Sequence, residues 1–221
     1  MNHLEIIDEK GDYDSSLQWH QKALNIWMQI LKPNYPTLGD AHNCIAVVYR
    51  KKGDYKRALE SYEKALIIFR RKFGDDDVKI GMCFNNLGVV YYEDKNYPKA
   101  LEYYEKALTI WEKYLPDNHL YLGAAYNNIG EVHRHLGQYD RALNNHHLSL
   151  DIYQKSLSPQ HPDIATAFEN IGLVYEKKGD MQQALSYLEK AANMFRHALP
   201  PTNPDVIHIG QNIERVSSII K

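Results

Sequence analysis

Three observations predict an all-α fold, a solenoid of stacked antiparallel helix pairs. The stretch FNNLGVVYYEDKNYPKALEYYEKAL (Phe84 to Leu108) returns 42 residues later as YNNIGEVHRHLGQYDRALNNHHLSL (Tyr126 to Leu150) and again as FENIGLVYEKKGDMQQALSYLEKAA (Phe168 to Ala192). It also precedes itself as HNCIAVVYRKKGDYKRALESYEKAL (His42 to Leu66). A repeat of this length marks units that each bury an apolar face on their neighbours. Within each copy the apolar residues recur at helical spacing, and no stretch alternates as a strand does. Finally, chain-breaking residues recur at two places per period, which leaves two helices, A and B, in every unit.

The first break is a column of Gly11, Gly53, Lys95, Gly137 and Gly179. Glycine there suits a left-handed residue just past the end of helix A. Lys95 is the exception, at a cost of about 1 kcal/mol. The next column, Asp12, Asp54, Asn96, Gln138 and Asp180, mostly supplies N-caps for helix B. Pro98 falls in the first turn of one B helix, where its missing N–H does no harm. A second break recurs around Pro33, Asp75, Asp117, Pro159 and Pro201, followed by helix-start signals such as His161-Pro162-Asp163 and Asn203-Pro204-Asp205. Along helix A run Ile80, Phe84, Leu87, Gly88 and Tyr91, repeated by Ile164, Phe168, Ile171, Gly172 and Tyr175. Helix B carries Ala100, Leu101, Tyr104, Ala107, Leu108 and Trp111. The small residues let two antiparallel helices approach closely while the aromatics fill the space beside them.

Both ends depart from the pattern. Residues 2–10 align with only the last part of helix A, ahead of a helix B over Asp14 to Lys32. A helix that short is marginal alone and needs packing on helix B. Either a longer array or an unusual N-terminal cap produces this start. Asn203 to Lys221 offers one more helix A, with Asn212, Ile213 and Val216, that reads as a cap on the last apolar face.

Composition sets the class. At 44% hydrophobic and 24% charged, the chain is globular in type. A net charge of −2 gives no field for nucleic acid or an anionic membrane, although Arg50 to Lys72 holds nine basic residues against three acidic ones. Cys44 and Cys83 fall at different places in the repeat, which argues for buried thiols in a reducing compartment and against a bridge. Without a signal peptide, an N-x-S/T sequon or a membrane-length apolar run, a cytoplasmic location is expected.

Small-x-x-aromatic on helix A, followed by Ala-x-x-x-aromatic-x-x-Ala on helix B, resembles the tetratricopeptide repeat. The 42-residue period, the loop Leu157, Pro159, His161, Pro162, Asp163, and the tetrads Asn85 to Gly88 and Asn127 to Gly130 are similar to the repeats of kinesin light chains. The resemblance implies one array over residues 1–221: a truncated repeat at 1–32, full repeats at 33–74, 75–116, 117–158 and 159–200, and a capping helix at 201–221. It further implies a right-handed superhelix whose A helices line a concave groove for partner peptides.

Removing the core columns from helix A leaves the face such a partner would meet. One column is Cys44, Asn86, Asn128, Asn170 and Asn212; beside it runs Asn43, Asn85, Asn127 and Glu169. One turn on lie Val47, Val89, Glu131 and Leu173, then Arg50, Tyr92, Arg134 and Glu176, next to Lys51, Glu93, His135 and Lys177. An asparagine amide carries donors and an acceptor, so a ladder of them can pair with the backbone of an extended peptide of any sequence. The same amides can instead bond a neighbouring helix, and both roles stay open at this point. Some tetratricopeptide proteins clamp a terminal carboxylate with Lys and Arg on these columns; asparagine, glutamate and valine here argue against that mode. Kinesin-light-chain grooves are thought to take tryptophan-plus-acidic segments. Arg50, Lys51 and Arg134 would serve such a ligand, and Glu93, Glu131 and Glu169 would oppose it.

His133 and His146 replace Tyr91 and Tyr104 of the preceding unit and are expected to face each other as a buried pair. Such a pair would lose stability as it protonates below about pH 6.5. Two imidazoles without a completing thiol or carboxylate do not make a structural zinc site. Phosphate loops, Cys-x-x-Cys, His-Glu-x-x-His and nucleophile elbows are absent, so neither catalysis nor a cofactor is expected. The leading reading is a scaffold that binds a protein or peptide segment, with no nucleic acid and no membrane insertion. The alternatives are a regulatory or targeting module of a larger multidomain protein, such as an enzyme with its catalytic domain outside this chain, or an array that self-associates through its incomplete first repeat (Leu17, Leu24, Trp27).

Overall fold

The computed structural model describes residues 12–33 and 35–220. The partial helix A expected over residues 2–10 and the turn at Gly11 lie outside them. Among the described residues are ten α-helices and no strand: α1 (Tyr13–Ile30), α2 (Pro36–Lys51), α3 (Tyr55–Phe73), α4 (Val78–Glu93), α5 (Tyr97–Tyr114), α6 (Leu120–His135), α7 (Tyr139–Ser156), α8 (Pro162–Lys178), α9 (Met181–Ala198) and α10 (Pro204–Ile220). Even-numbered helices are the A helices. Two compact units are present, one ending at Tyr114 with α1 to α5 and one starting at Leu115 with α6 to α10. Within each unit every helix packs on the next in sequence.

Each described A-to-B turn closes with a backbone bond from the first residue of the B-helix cap, two or three residues past helix A, back to the last turn of helix A. Asp54 N–H donates to Tyr49 C=O at 2.9 Å, Asn96 to Tyr91 at 2.8 Å, Gln138 to His133 at 2.9 Å and Asp180 to Tyr175 at 3.0 Å. That closure requires a left-handed residue between. Gly53, Gly137 and Gly179 supply it, and Lys95 adopts it with φ 60° despite its Cβ. Asp12, Asp54, Asn96 and Asp180 then cap the B helices by accepting from Ser15, Arg57, Lys99 and Gln183 N–H. Gln138 does not; its side-chain oxygen accepts from His133 Nδ1 at 2.8 Å and from Arg141. At the A helices, Asp77 and Asn203 cap through oxygen, and His119 and His161 do so through Nδ1.

Helices A and B of one unit meet where a small residue faces a ring. A Cβ built on Gly88 would lie 2.6 Å from the Tyr104 ring, and one on Gly81 would lie 2.4 Å from the Trp111 indole. Gly123 faces Tyr153, Gly130 faces His146 and Gly172 faces Leu188 in the same way. The flanking core is aliphatic: Ile80, Leu87 and Val90 in the first unit, Ile129, Val132, Ile171 and Val174 in the second. Tyr103, outside the columns singled out in the sequence, stacks on Tyr91 with centroids 5.3 Å apart, and Tyr187 repeats the stack on Tyr175 at 5.6 Å.

The thiols differ from expectation. Cys83 is buried, and burial pushes its thiol up to about 12, but Cys44 is exposed, because its column lies on the open side of α2. No disulfide joins them.

Three substitutions test these packing statements. Lys95→Gly removes the only left-handed non-glycine among the described residues and is expected to raise stability by about 0.5–1 kcal/mol in urea unfolding. Gly88→Ala is expected to lower it by about 1–3 kcal/mol, because overpacking outweighs the gain in helix propensity. The same change at Gly210, where nothing lies within 4 Å of the new Cβ, should raise it by up to about 1 kcal/mol.

Candidate functional site

The A-helix face left over by the core is where the predicted contact residues fall, and the structure pairs many of them with one another. In the first unit, Arg50 at the end of α2 donates to Glu93 at the end of α4, and Lys79 of α4 reaches Asp40 of α2 at 3.4 Å. In the second unit Asn170 Nδ2 of α8 donates to Asn127 Oδ1 of α6 at 2.9 Å. Asn212 Nδ2 of α10 donates to Glu169 Oε1 of α8 at 2.8 Å. Arg215 of α10 grips Glu176 of α8 with two bonds of 2.8 and 2.7 Å and gives a third to Asn212 Oδ1. The partners are 43 or 39 residues apart, one more or three fewer than the 42-residue period. Those offsets differ by four, one helical turn, so both fall on the same edge of an A helix.

The second unit buries its charges. Glu131 accepts two bonds from Arg134, at 2.9 and 2.7 Å, and has His146 Nε2 at 3.6 Å. Burial alone would raise the Glu131 carboxyl; the Arg134 guanidinium and His146 more than offset this and hold it well below the usual carboxylate range. Glu169 goes the other way. Burial pushes its carboxyl up, opposed by His208 at 3.0 Å and by Asn212. Glu176, nearer solvent, is drawn down by its bonds to Arg215.

His133 and His146 are both buried, as expected, and each has a polar neighbour of its own: Gln138 for His133 and Glu131 for His146.

Asn212 is only 2% exposed, tied between Glu169 and Arg215. Asn127, Asn170, Glu131 and Arg134 are half-buried and engaged in the pairs described. Asn43, Asn85, Asn86, Val89, Tyr92, Asn128 and Leu173 are half-buried too. Tyr92 packs edge-on against Tyr97, and the buried Asn43 Oδ1 accepts no hydrogen bond among the described residues. Sequence reasoning assigned each column to a ligand or a neighbour as a whole and missed the diagonal pairing between adjacent columns. Polar residues side by side on one helix face were the available signal.

Of the basic run, Arg50, Lys52, Arg57 and Arg70 are matched by Glu93, Asp14, Asp54 and Asp75. Among the described residues no group of three or more His, Cys, Asp or Glu could hold a metal ion, and no helix is long and apolar enough to cross a membrane.

Glu131→Gln tests the buried pair. A depressed carboxyl contributes stability that is present above the usual carboxylate range and is lost as pH falls through the folded value. The variant is therefore expected to unfold about 1–3 kcal/mol more easily at pH 7, and the difference from the native chain should shrink toward pH 3. A difference that is the same at both pH values would remove the ion pair as its cause.

Comparison with known proteins fits this geometry. The family model described as tetratricopeptide repeat matches residues 37–113 and 121–197. No curated protein matches the sequence. Among solved structures, BtubC (BKLC) from P. vanneervenii is similar over 91% of this chain and 80% of its own, with 26% identity and a TM-score of 0.76. The kinesin light chain-like, nearly identical TPR-like repeats of Podosopora anserina align over 88% of this chain and 92% of theirs at 18% identity and a TM-score of 0.71. The apo form of RapI aligns over 98% and 81%, at 17% and 0.76. The last two show a shared fold alone. Tetratricopeptide repeats generally mediate protein–protein interaction and are generally non-catalytic, and on the match over most of its length this chain belongs to the tetratricopeptide repeat family.

Proposed function

We propose that this chain is a scaffold that binds an extended or helical segment of a partner protein along the open face of its A helices. The observation that carries the reading is the state of that face. Its charges are matched between helices in Arg50 with Glu93 and Glu176 with Arg215, and within α6 in Glu131 with Arg134. Beside these pairs the face carries half-buried amide and apolar side chains: Asn86, Val89 and Tyr92 in one unit, Asn128 and Leu173 in the other. The pairs also hold the A helices in register, so little side-chain order would be lost on binding.

A face of this kind favours a segment of low net charge, whose backbone is met by amides and whose apolar side chains sit on Val89 or Leu173. A strongly acidic segment would meet arginines already neutralised. In this reading α10 covers the last apolar face as a cap.

Selection of displayed peptides on the intact chain tests the proposal. Selected peptides should be of low net charge and should lose at least tenfold in affinity on Val89→Asp or Leu173→Asp, with helical circular dichroism unchanged. Peptides indifferent to both substitutions, or uniformly acidic ones, would overturn it.

A further inference from the structure

The repeat of α2 and α3 has a slot where two sister repeats have a ring. In those repeats helix B lays a tyrosine against two aromatic residues of helix A. Tyr103 stacks on Tyr91 at 5.3 Å and meets Phe84 at 6.0 Å; Tyr187 stacks on Tyr175 at 5.6 Å and meets Phe168 at 6.2 Å. A lysine one turn on lies over each ring, with Lys106 Nζ 4.9 Å from the centre of Tyr103 and Lys190 Nζ 4.8 Å from that of Tyr187. In α3 the tyrosine column holds Ser61. The positions that surround the ring are here His42, Tyr49 and Lys64, and together with Ser61 they line a cavity of about 220 Å³.

The remaining walls match as well. Gln21 and Leu24 of α1 stand in the columns of His147 and Leu150, and Ile45 in that of Ile171. His147 meets the Tyr187 ring at 6.3 Å, and Leu150 and Ile171 belong to the cluster on which Tyr187 packs. The slot is therefore the surroundings of Tyr187 without the ring. A helix A packs on its own helix B through other columns, those of His20 and Trp27, as Gly88 does on Tyr104 and Gly81 on Trp111. Neither of those columns lines the slot. Leu24, Ile45 and Ser61 are buried and form its floor, while Gln21, Arg57, Glu60 and Lys64 are exposed at its mouth.

The chemistry of the slot names its occupant. Where the column holds Asn145, the lysine is replaced too, by Leu148. Lys64 is kept although Ser61 offers no ring, and among the described residues it makes no hydrogen bond or ion pair. Arg57 does not take the ring's place. It lies 5.6 Å from the centre of Tyr49 as Lys99 lies 5.1 Å from that of Tyr91, where the ring is present as well. The Ser61 hydroxyl is already bonded to Arg57 C=O at 2.8 Å, so the floor has no polar group for the charged end of a free aromatic compound. Residues 1–11, 34 and 221 include no Phe, Tyr or Trp. We propose that the slot receives the side chain of a tyrosine on a partner protein, its ring stacked on Tyr49 and covered by Lys64. None of its residues belongs to the columns of the A-helix face, so this site is separate from the groove.

Selection of displayed peptides on the full chain, counter-selected against Ser61→Tyr, tests this. The substitution rebuilds the sister arrangement from within the chain. It should shift the midpoint of thermal unfolding up by about 2–4 °C and close the slot. Peptides that bind the native chain and not the variant should share one tyrosine, and changing it to leucine should weaken them about tenfold or more. Lys64→Leu alters only an exposed side chain at the mouth; it should weaken the same peptides about threefold or more, with helical circular dichroism unchanged. Val89→Asp and Leu173→Asp should leave their binding as it is, so slot and groove stand or fall separately. Peptides without a shared tyrosine, or peptides that bind native chain and Ser61→Tyr alike, would overturn the proposal. So would a Ser61→Tyr chain that unfolds at a lower temperature, or binding indifferent to Lys64→Leu. A dimer in light scattering that dissociates on Ser61→Tyr would overturn the partner and make the occupant a tyrosine of a second copy.

Discussion

The approach of helix A to helix B depends on one steric condition: where a large side chain of helix B arrives, helix A offers only glycine or alanine. Gly81 against Trp111, Gly88 against Tyr104 and Gly123 against Tyr153 leave no room for a further carbon. Glycine inside a helix costs about 1 kcal/mol in propensity. The burial of a whole aromatic side chain more than offsets it. With the separation set by these contacts, the aliphatic residues on either side interlock, and the A helices of neighbouring repeats come within reach of each other's polar side chains.

The polar ladder along the A helices is the second consequence. Because one repeat is shifted against the next, a side chain meets not its own column but the residue one position later or one turn earlier. Asn127 finds Asn170, Glu169 finds Asn212, Arg50 finds Glu93 and Glu176 finds Arg215. A half-buried carboxylate left alone would be costly; paired across helices, it ties adjacent repeats together while leaving the face nearly neutral. The same pairs that stabilise the stack also shape what a partner meets.

Much of this was legible in the chain. The period, the left-handed turn column with Lys95 as its exception, the B-helix caps and the small-against-aromatic columns all follow from local chemistry repeated at constant spacing. The aromatic stacks of Tyr103 and Tyr187 were not legible, because their columns hold Ser61 and Asn145 in the other units and so look like surface. Nor was the exposure of Cys44, which depends on how α2 is turned in the folded unit. The histidines show the limit well: sequence placed His133 and His146 in the core, but the carboxylate beside His146 belongs to Glu131, a residue assigned from its column to the ligand face.

Taken by itself, the sequence determined the fold class, the boundaries of helices and turns, and the identity of the core, because helix period, capping and close packing act over a few residues and repeat every 42. Tertiary structure alone decided how the asparagines, glutamates and arginines of the A helices are used. Their partners lie 39 or 43 residues away, and a shift of one residue or one turn between stacked helices is set by packing, not by the period.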